Sequence, residues 1–297
     1  MRRYFLCSLL FPLLAASAYA DPILLSPLSG FAVLGASTVT NVPTSAIDGS
    51  VGVWSSGGAN AITGFGAVAG LNVSNSQVTD GTVDSGTAAA ASAQGDLTTA
   101  IDDLNSLYGI GSLVTLTNPD LAGLTLFPGV YYVPAGTTNL SGTLTLNGEG
   151  NANAAWVFLM PSTLITSSDS VVNVIDTGSG AGVYWDVGSS ATIGTGSTFL
   201  GNILASTSVY MYTGATDDCG RALASTAEVT LQENTLSIGC SGILSGSSGL
   251  SGGLTVTSGV VTILPASIVP EPSFFWFLAL CLAGLAILRE RSRVRPR

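Results

Sequence analysis

An approximate repeat occupies residues 195–224, whose sequence is TGSTFLGNILASTSVYMYTGATDDCGRALA. The tetrapeptide that begins at Thr195 recurs at Thr213, an offset of 18, and the pentapeptide that begins at Gly201 is echoed at Gly220, an offset of 19. The next comparable threonine is Thr235. A period in this range, with no heptad pattern and no helix in each repeat, indicates a stacked parallel β structure.

Short β-type segments fill most of the chain on either side of this repeat. They combine β-branched or aromatic residues with alternation and are separated by Gly, Ser and Asn; examples are 142–147, 155–159, 171–175 and 183–187. This pattern predicts a mainly β fold, a β-solenoid whose coils add short strands to parallel sheets about 4.8 Å apart. A β-sandwich with the same strand density is the structural alternative. The residues expected to point inward are Ile193, Phe199, Ile203, Leu204, Val209 and Leu223.

One interval, about residues 85–108, has a helical pattern instead. It is rich in alanine, and its apolar residues recur at spacings of three and four, which places them on one face. These apolar residues are Ala93, Leu97, Ala100, Ile101, Leu104 and Leu107. We predict one long helix that packs along the sheets, with Gly109 as its C-terminal stop.

The composition excludes several classes of enzyme. The 297 residues include 37 glycines but no histidine and no lysine. Without histidine there is no Ser-His-Asp or Cys-His nucleophile pair and no His-ligated zinc. Without lysine there is no Schiff-base chemistry and no P-loop. We therefore expect a protein that is not an enzyme and needs no cofactor or metal.

Residues 1–20 have the pattern of a secretory signal peptide. Arg2 and Arg3 precede an apolar run over residues 4–16, and Ala18-Tyr19-Ala20 forms an A-x-A cleavage site. The mature chain should therefore begin at Asp21, outside the cytoplasm.

The C-terminal residues 269–297 have the pattern of a membrane-directed sorting tail. Pro270, Glu271 and Pro272 precede an apolar segment over residues 274–288, and five arginines follow. The apolar segment is shorter than the roughly 20 residues that span a bilayer, which favours transient anchoring. The tail resembles the PEP-CTERM signal of Gram-negative bacteria, and this resemblance implies processing by an exosortase at the envelope or extracellular matrix. An ordinary C-terminal transmembrane anchor is the alternative.

The chain between these two ends is strongly acidic. Of the 18 acidic and eight basic residues, 16 acidic residues and Arg221 alone lie between Asp21 and Val269, which leaves a formal charge of −15. Binding to nucleic acid needs a clustered basic surface, so we expect no nucleic-acid partner.

Two cysteines, Cys219 and Cys240, remain in the mature chain. Export to an oxidising compartment permits a disulfide between them, and we predict one. Two free buried thiols are the alternative, because spacing alone does not show that the Cα atoms approach closely enough.

Several segments between Phe31 and Cys240, taken in order, resemble the ice-binding proteins of the DUF3494 type. They are FAVLG (31–35), TVTN (38–41), GSVGV (49–53), ITGF (62–65), LTLFPGVY (124–131), GTLTL (142–146), NAAWVF (153–158), VYW (183–185) and GRALA (220–224). The resemblance implies a right-handed discontinuous parallel β-helix of triangular cross-section, with one long helix packed alongside.

The resemblance also implies an activity, adsorption to an ice crystal surface through a flat, Thr/Ser-rich face, which inhibits ice growth and recrystallisation. The Thr-Gly-x-Thr repeat resembles the threonine-bearing motif on the ice face of some family members. The candidate ice-binding residues are therefore Thr195, Thr198, Thr213, Thr216 and Thr235. The alternative role for a threonine at such a corner is structural, since its hydroxyl can satisfy a turn carbonyl.

Two other functions stay open at this stage. The chain could be an adhesive or matrix protein that binds exopolysaccharide at the cell surface by stacking sugars on aromatic side chains; the candidates are Tyr131, Tyr132, Tyr184, Trp185, Tyr210 and Tyr212. A polysaccharide lyase or a calcium site would have to use Asp217, Asp218 and Arg221, the one constellation that hints at either.

The expected organisation therefore has four parts. A signal peptide covers residues 1–20, and the ice-binding-like domain covers 21–240. Residues 241–268 are rich in Gly and Ser and are either a linker or a last edge strand. The sorting tail covers 269–297.

Overall fold

The structure of the protein is a computed structural model that describes residues 21–54 and 61–266. The signal peptide and the sorting tail predicted from the sequence lie outside the described residues. Within them the chain is mainly β, as predicted, and α1 (Ala88–Asn105) is its one α-helix. A 3-10 turn, Ser106–Gly109, extends this helix and ends at the predicted stop.

The strands are short, and in chain order they have the following bounds. They are β1 (Phe31–Gly35), β2 (Val39–Val42), β3 (Ala46–Asp48), β4 (Ser50–Val53), β5 (Ile62–Thr63), β6 (Asn72–Val73), β7 (Val78–Thr79), β8 (Val83–Ser85), β9 (Val114–Thr115), β10 (Thr125–Leu126), β11 (Gly129–Tyr132), β12 (Thr143–Asn151), β13 (Ala155–Met160), β14 (Leu164–Ile165), β15 (Val171–Thr177), β16 (Gly182–Val187), β17 (Ala191–Ile193), β18 (Thr198–Ala205), β19 (Val209–Met211), β20 (Thr216–Ala224), β21 (Val229–Gln232), β22 (Thr235–Ser237), β23 (Leu254–Thr257) and β24 (Val260–Ile263).

The strands from β1 to β22 form three sheets, in which neighbouring strands pair in parallel except at one edge. We call sheet I the path β9-β11-β13-β16-β18-β20-β1-β4-β8, to which β6 adds an antiparallel edge. Sheet II is β14-β17-β19-β21-β2-β5, and sheet III is β10-β12-β15-β18-β20-β22-β3-β7. The long strands β18 and β20 belong to both sheet I and sheet III, because their first residues pair in sheet III and their last residues pair in sheet I.

The repeat seen in the sequence corresponds to one step between paired strands. Thr198 pairs with Thr216, and Gly201 pairs with Gly220, so the offsets of the repeat are the offsets of the pairing. The order of strands departs from chain order in all three sheets, where β1 pairs in parallel with β20, β2 with β21 and β3 with β22. The N-terminal segment therefore continues the stack that the C-terminal strands build.

A hydrophobic core lies on one side of sheet I and receives side chains from all three sheets. Its centre is a run of aromatic rings, in which Phe158 and Trp185 stack with centroids 4.1 Å apart and Phe199 follows at 5.0 Å. Four of the residues predicted to point inward belong to this core: Ile193, Phe199, Ile203 and Val209.

A second hydrophobic core lies on the opposite side of sheet I, against the helix. Leu204 and Leu223 belong to it, so the prediction that they point into the first core is wrong. The reason is the two-residue period of a strand, which turns Leu204 away from its neighbour Ile203. All six apolar helix residues named from the sequence are buried here. Thr87 caps the helix by accepting a hydrogen bond from the amide of Ala90.

Residues 241–266 pack on the sheets, and the last part of this segment covers the helix side of sheet I. They contain a 3-10 turn, Gly242–Leu244, and the antiparallel hairpin β23–β24, whose Leu254 joins the second core. Val256 exchanges two backbone hydrogen bonds with Asp21, so the two ends of the described chain meet.

The buried guanidinium of Arg221 fastens these ends to the sheet. It donates to the carbonyls of Ser29, Ser248 and Gly249 and to the side chain of Asn202, at 2.6 to 3.3 Å. The predicted disulfide is confirmed: Cys219 and Cys240 are bonded, with Cα atoms 4.8 Å apart. Arg221 and the disulfide together tie the N-terminal turn and the C-terminal segment to β20.

Replacing Arg221 with Met should lower the free energy of unfolding by at least about 3 kcal/mol, because several buried acceptors lose their donor at a cost of about 1–3 kcal/mol each. Chemical denaturation measures the loss. Limited proteolysis should also cut residues 241–266 faster in the variant. A variant within about 0.5 kcal/mol of the native protein would contradict the role given to Arg221.

Asp186 is an unusual residue in the second core. It lies on β16 in register with Leu159 and Leu204, on the helix side of sheet I, and is only 2% exposed. Burial raises the pKa of Asp186 to about 7. The folded protein therefore keeps the proton on this carboxyl up to near-neutral pH, whereas the unfolded chain loses it near pH 3.8.

The free energy of unfolding of the native protein should therefore fall as the pH rises from about 4 through about 7. The carboxyl of Asp186 accounts for up to about 4 kcal/mol of this loss, and Asp186→Asn should abolish that contribution. Unfolding free energies at pH 5 and pH 8 for both proteins test this. Burial also raises the pKa of Asp217, but Asp217 is present in both proteins, so its effect on stability cancels when they are compared. An identical pH dependence for the two proteins would show that Asp186 does not titrate in this range.

Candidate functional site

The outer surfaces of sheets II and III are the faces on which a site can form. The helix contacts strands of sheet I, and the C-terminal hairpin contacts the helix. Sheets II and III instead carry exposed or half-exposed side chains at alternate positions. The rows of outward side chains on these two sheets are therefore the candidate sites.

Sheet II presents a row composed mainly of threonines, one residue from each of its six strands. In strand order the row is Ile165, Thr192, Tyr210, Thr230, Thr40 and Thr63. The residues on either side of each row position point into the protein and are mostly buried apolar side chains, such as Val229 and Leu231 beside Thr230. The six strands pair without a register shift, and none of them contains a charged residue. Sheet II is thus a regular, uncharged surface.

Tyrosines interrupt this surface at β19. The Tyr210 hydroxyl donates a hydrogen bond to the carboxylate of Glu228, just before β21. This bond is the largest cause that raises the pKa of Tyr210. Tyr212, two residues along the chain, is 45% exposed, and Val42 on β2 is 50% exposed. The margin of sheet II therefore combines exposed apolar surface with hydroxyl groups.

The structure divides the five threonines predicted as the ice-binding set. Thr198, Thr216 and Thr235 occupy consecutive register positions on sheet III. Thr195 and Thr213 lie instead in the turns that lead from sheet II to sheet III.

The glycine of each Thr-Gly-x-Thr motif shapes these turns. Gly196 and Gly214 have φ angles of 67° and 70°, a conformation that favours glycine. The Thr213 hydroxyl donates to the side chain of Gln232 at 3.1 Å. All five threonines are exposed or half-exposed, so none is a core residue.

Sheet III is less regular than sheet II. The row of Thr198, Thr216 and Thr235 continues to Val171 on one side and Ala46 on the other. An open groove of about 300 Å³ lies beside Ala46 and Thr235 and includes Asp48. A second carboxylate, Asp218, is exposed on β20.

Sequence reasoning missed the threonine row of sheet II. In the sequence, this row is marked by triplets in which a threonine lies between two buried residues, as in Ala191-Thr192-Ile193 and Val229-Thr230-Leu231. A third triplet, Val39-Thr40-Asn41, lies near the N-terminal end of the described chain. Thr40 is next to Thr230 only because β2 pairs with β21.

The other constellations named from the sequence do not assemble into sites. Tyr131, Tyr184 and Trp185 are buried, and Tyr132 packs edge-on against Tyr108. Only Tyr210 and Tyr212 of the named aromatics lie on an open face.

The acidic pair and the arginine are also separated. Asp217 is buried in register with Phe199 and Leu236, whereas Asp218 is exposed and Arg221 binds backbone carbonyls on the helix side of sheet I. Burial, followed by the charge of Asp218, raises the pKa of Asp217 well above its usual range. Among the described residues no group of three or more His, Cys, Asp or Glu side chains could hold a metal ion.

Residues 33–237 match the family described as Ice-binding-like. The chain belongs to this family. An ice-binding protein of Nostoc sp. (strain HG1) is 44% identical over 217 residues, which are 73% of this chain and 74% of that protein. An ice-binding protein of Flammulina populicola is 33% identical over 228 residues, or 72% of this chain and 87% of that one.

Solved structures of ice-binding proteins superpose on this family member. An ice-binding protein from Arctic yeast gives a TM-score of 0.63 at 30% identity, over 72% of this chain and 93% of that one. An ice-binding protein from an Antarctic biological consortium gives a TM-score of 0.61 at 34% identity, over 73% of this chain and 90% of that one. Within residues 21–54 and 61–266, no helix combines the length and the hydrophobicity of a membrane span.

Proposed function

We propose that this protein binds ice and inhibits ice growth and recrystallisation, and that the contact surface is the outer face of sheet II. The single observation that carries the proposal is the row of Thr192, Thr230, Thr40 and Thr63 on six uncharged strands that pair without a register shift. The names of the relatives and of the solved structures, all ice-binding proteins, support the activity.

Threonine rows suit this task for physical reasons. Each threonine offers a methyl group against which water can order and a hydroxyl that can join the ordered water. Branching at Cβ restricts χ1, so little side-chain entropy is lost when the surface binds. Neighbouring strands hold successive threonines about 4.8 Å apart. The absence of charge from these strands avoids the strong hydration that would favour liquid water.

The finer description of the fold is part of the same proposal. The chain passes repeatedly from sheet I to sheet II to sheet III, as in β16, β17 and the start of β18. We infer that each such passage is one coil of a right-handed parallel β-helix of triangular cross-section. The β-helix is discontinuous because β1 stacks on β20. In this architecture sheet II is one flat side, and α1 covers another.

Sheet III is the second candidate surface, favoured by the consecutive row of Thr198, Thr216 and Thr235. The groove beside Thr235 and the carboxylates of Asp48 and Asp218 make it less flat and more strongly hydrated than sheet II. Thr195 and Thr213, in the turns between the two sheets, would extend the contact from the margin of sheet II.

Substitution of one outward-pointing threonine on each face separates the two surfaces. Thr40→Tyr places a large ring between Thr230 and Thr63 in the sheet II row and should lower recrystallisation inhibition at least tenfold, because the ring holds this run of threonines away from the ice. Thr216→Tyr on sheet III is the matched control and should retain native inhibition. Both variants should keep the native circular dichroism spectrum, since both side chains point outward.

The reverse result, loss in Thr216→Tyr alone, would move the site to sheet III. A native protein that neither inhibits recrystallisation nor shows thermal hysteresis would refute the proposed function.

We also propose that the protein is exported and released to the cell surface or extracellular matrix of a Gram-negative bacterium. The sequence patterns of residues 1–20 and 269–297 support this, with an exosortase as the partner that removes the tail. Mass spectrometry of the protein from a host that has an exosortase should find Asp21 at the N-terminus and no residues 274–288. A mature chain that keeps the tail would instead show permanent anchoring.

A further inference from the structure

We propose that Tyr210 divides the ice-contacting row into two blocks and thereby limits the activity of this protein. The inference rests on the proposed function of sheet II. Tyr210 lies in register between Thr192 on β17 and Thr230 on β21. It is the one residue between Thr192 and Thr63 that breaks an otherwise unbroken row of threonines.

The interruption separates blocks of different size. Thr230, Thr40 and Thr63 follow one another on β21, β2 and β5, so three threonines form one continuous block. Thr192 lies alone on the far side of Tyr210, with Ile165 as its other neighbour. Two strand spacings of about 4.8 Å separate Thr192 from Thr230, so the two blocks cannot order one continuous row of water.

The hydrogen bond to Glu228 strengthens the interruption. The Tyr210 hydroxyl donates to this carboxylate, which fixes the ring on the surface and keeps a charged group beside the row. Glu228 immediately precedes β21, the strand that carries Thr230. A carboxylate orders its own hydration shell, which competes with ice-like water around the adjacent threonine. Tyr210 therefore interrupts the row both by its size and by the charge it holds in place.

Tyr210 could instead have a purely structural role, but its position allows the two roles to be tested separately. The side chain is half-buried and points outward from β19, between the buried side chains of Val209 and Met211. Neither hydrophobic core contains it. A threonine at this position has the high β propensity that the strand requires.

The test is Tyr210→Thr, which creates an unbroken row of five threonines from Thr192 to Thr63. Thermal hysteresis at equal concentration should rise at least twofold over the native protein. Tyr210→Phe is the matched control, because it removes the hydroxyl but keeps the ring, and its hysteresis should stay within a factor of two of the native value and below that of Tyr210→Thr. Thermal unfolding by circular dichroism verifies that each variant is folded before hysteresis is compared.

Unchanged or lower hysteresis in folded Tyr210→Thr would overturn the inference. Failure of the proposed function is recognised separately, because Thr40→Tyr would then leave activity unchanged. If Thr40→Tyr abolishes activity while Tyr210→Thr does not raise it, sheet II is the ice-contacting face and Tyr210 does not limit it. A rise in Tyr210→Phe equal to that in Tyr210→Thr would also count against the inference, since the ring would then not be the obstacle.

Discussion

The structure depends on the register in which its parallel strands pair, a register that runs without a shift through the six strands of sheet II. Because side chains alternate with a period of two along each strand, fixing the register also decides which residues enter the core and which face water. In sheet II this constraint aligns buried residues such as Val229 and Val39 in one row and places Thr230 and Thr40 in another. A row of outward side chains at even strand spacing, four of its six residues threonines, thus follows from the same pairing that builds the core.

Both ends of the described chain and the helix are gathered on one side of the molecule. The helix, the hairpin β23–β24 and the backbone pairing of Asp21 with Val256 all lie over sheet I. Arg221 and the Cys219–Cys240 disulfide tie the N-terminal turn and the C-terminal segment to β20. This arrangement buries the second core and keeps irregular segments away from sheet II. The face proposed to contact ice is therefore free because the rest of the chain is held elsewhere.

Much of this organisation could be predicted from the sequence, but the contact face could not. The helix and its buried face followed from apolar spacing, and the disulfide followed from export and the count of cysteines. The repeat at Thr195 and Thr213 gave the sequence offset between paired strands, but the threonines it singled out lie in the turns and on sheet III. The row on sheet II joins Thr230 to Thr40, which are distant in the chain, and a period within the sequence does not show that pairing. Leu204 was misplaced because sheet I has buried side chains on both of its faces.

The central claim is that sheet II, a flat face whose outward row is mostly threonine, adsorbs to ice. Growing a single-crystal ice hemisphere in a dilute solution of the fluorescently labelled protein tests it most directly. The account predicts fluorescence in discrete patches fixed by the orientation of the crystal, because a row of fixed spacing fits only certain lattice planes. A hemisphere that excludes the protein and stays dark, or one that is stained evenly whatever its orientation, would contradict it.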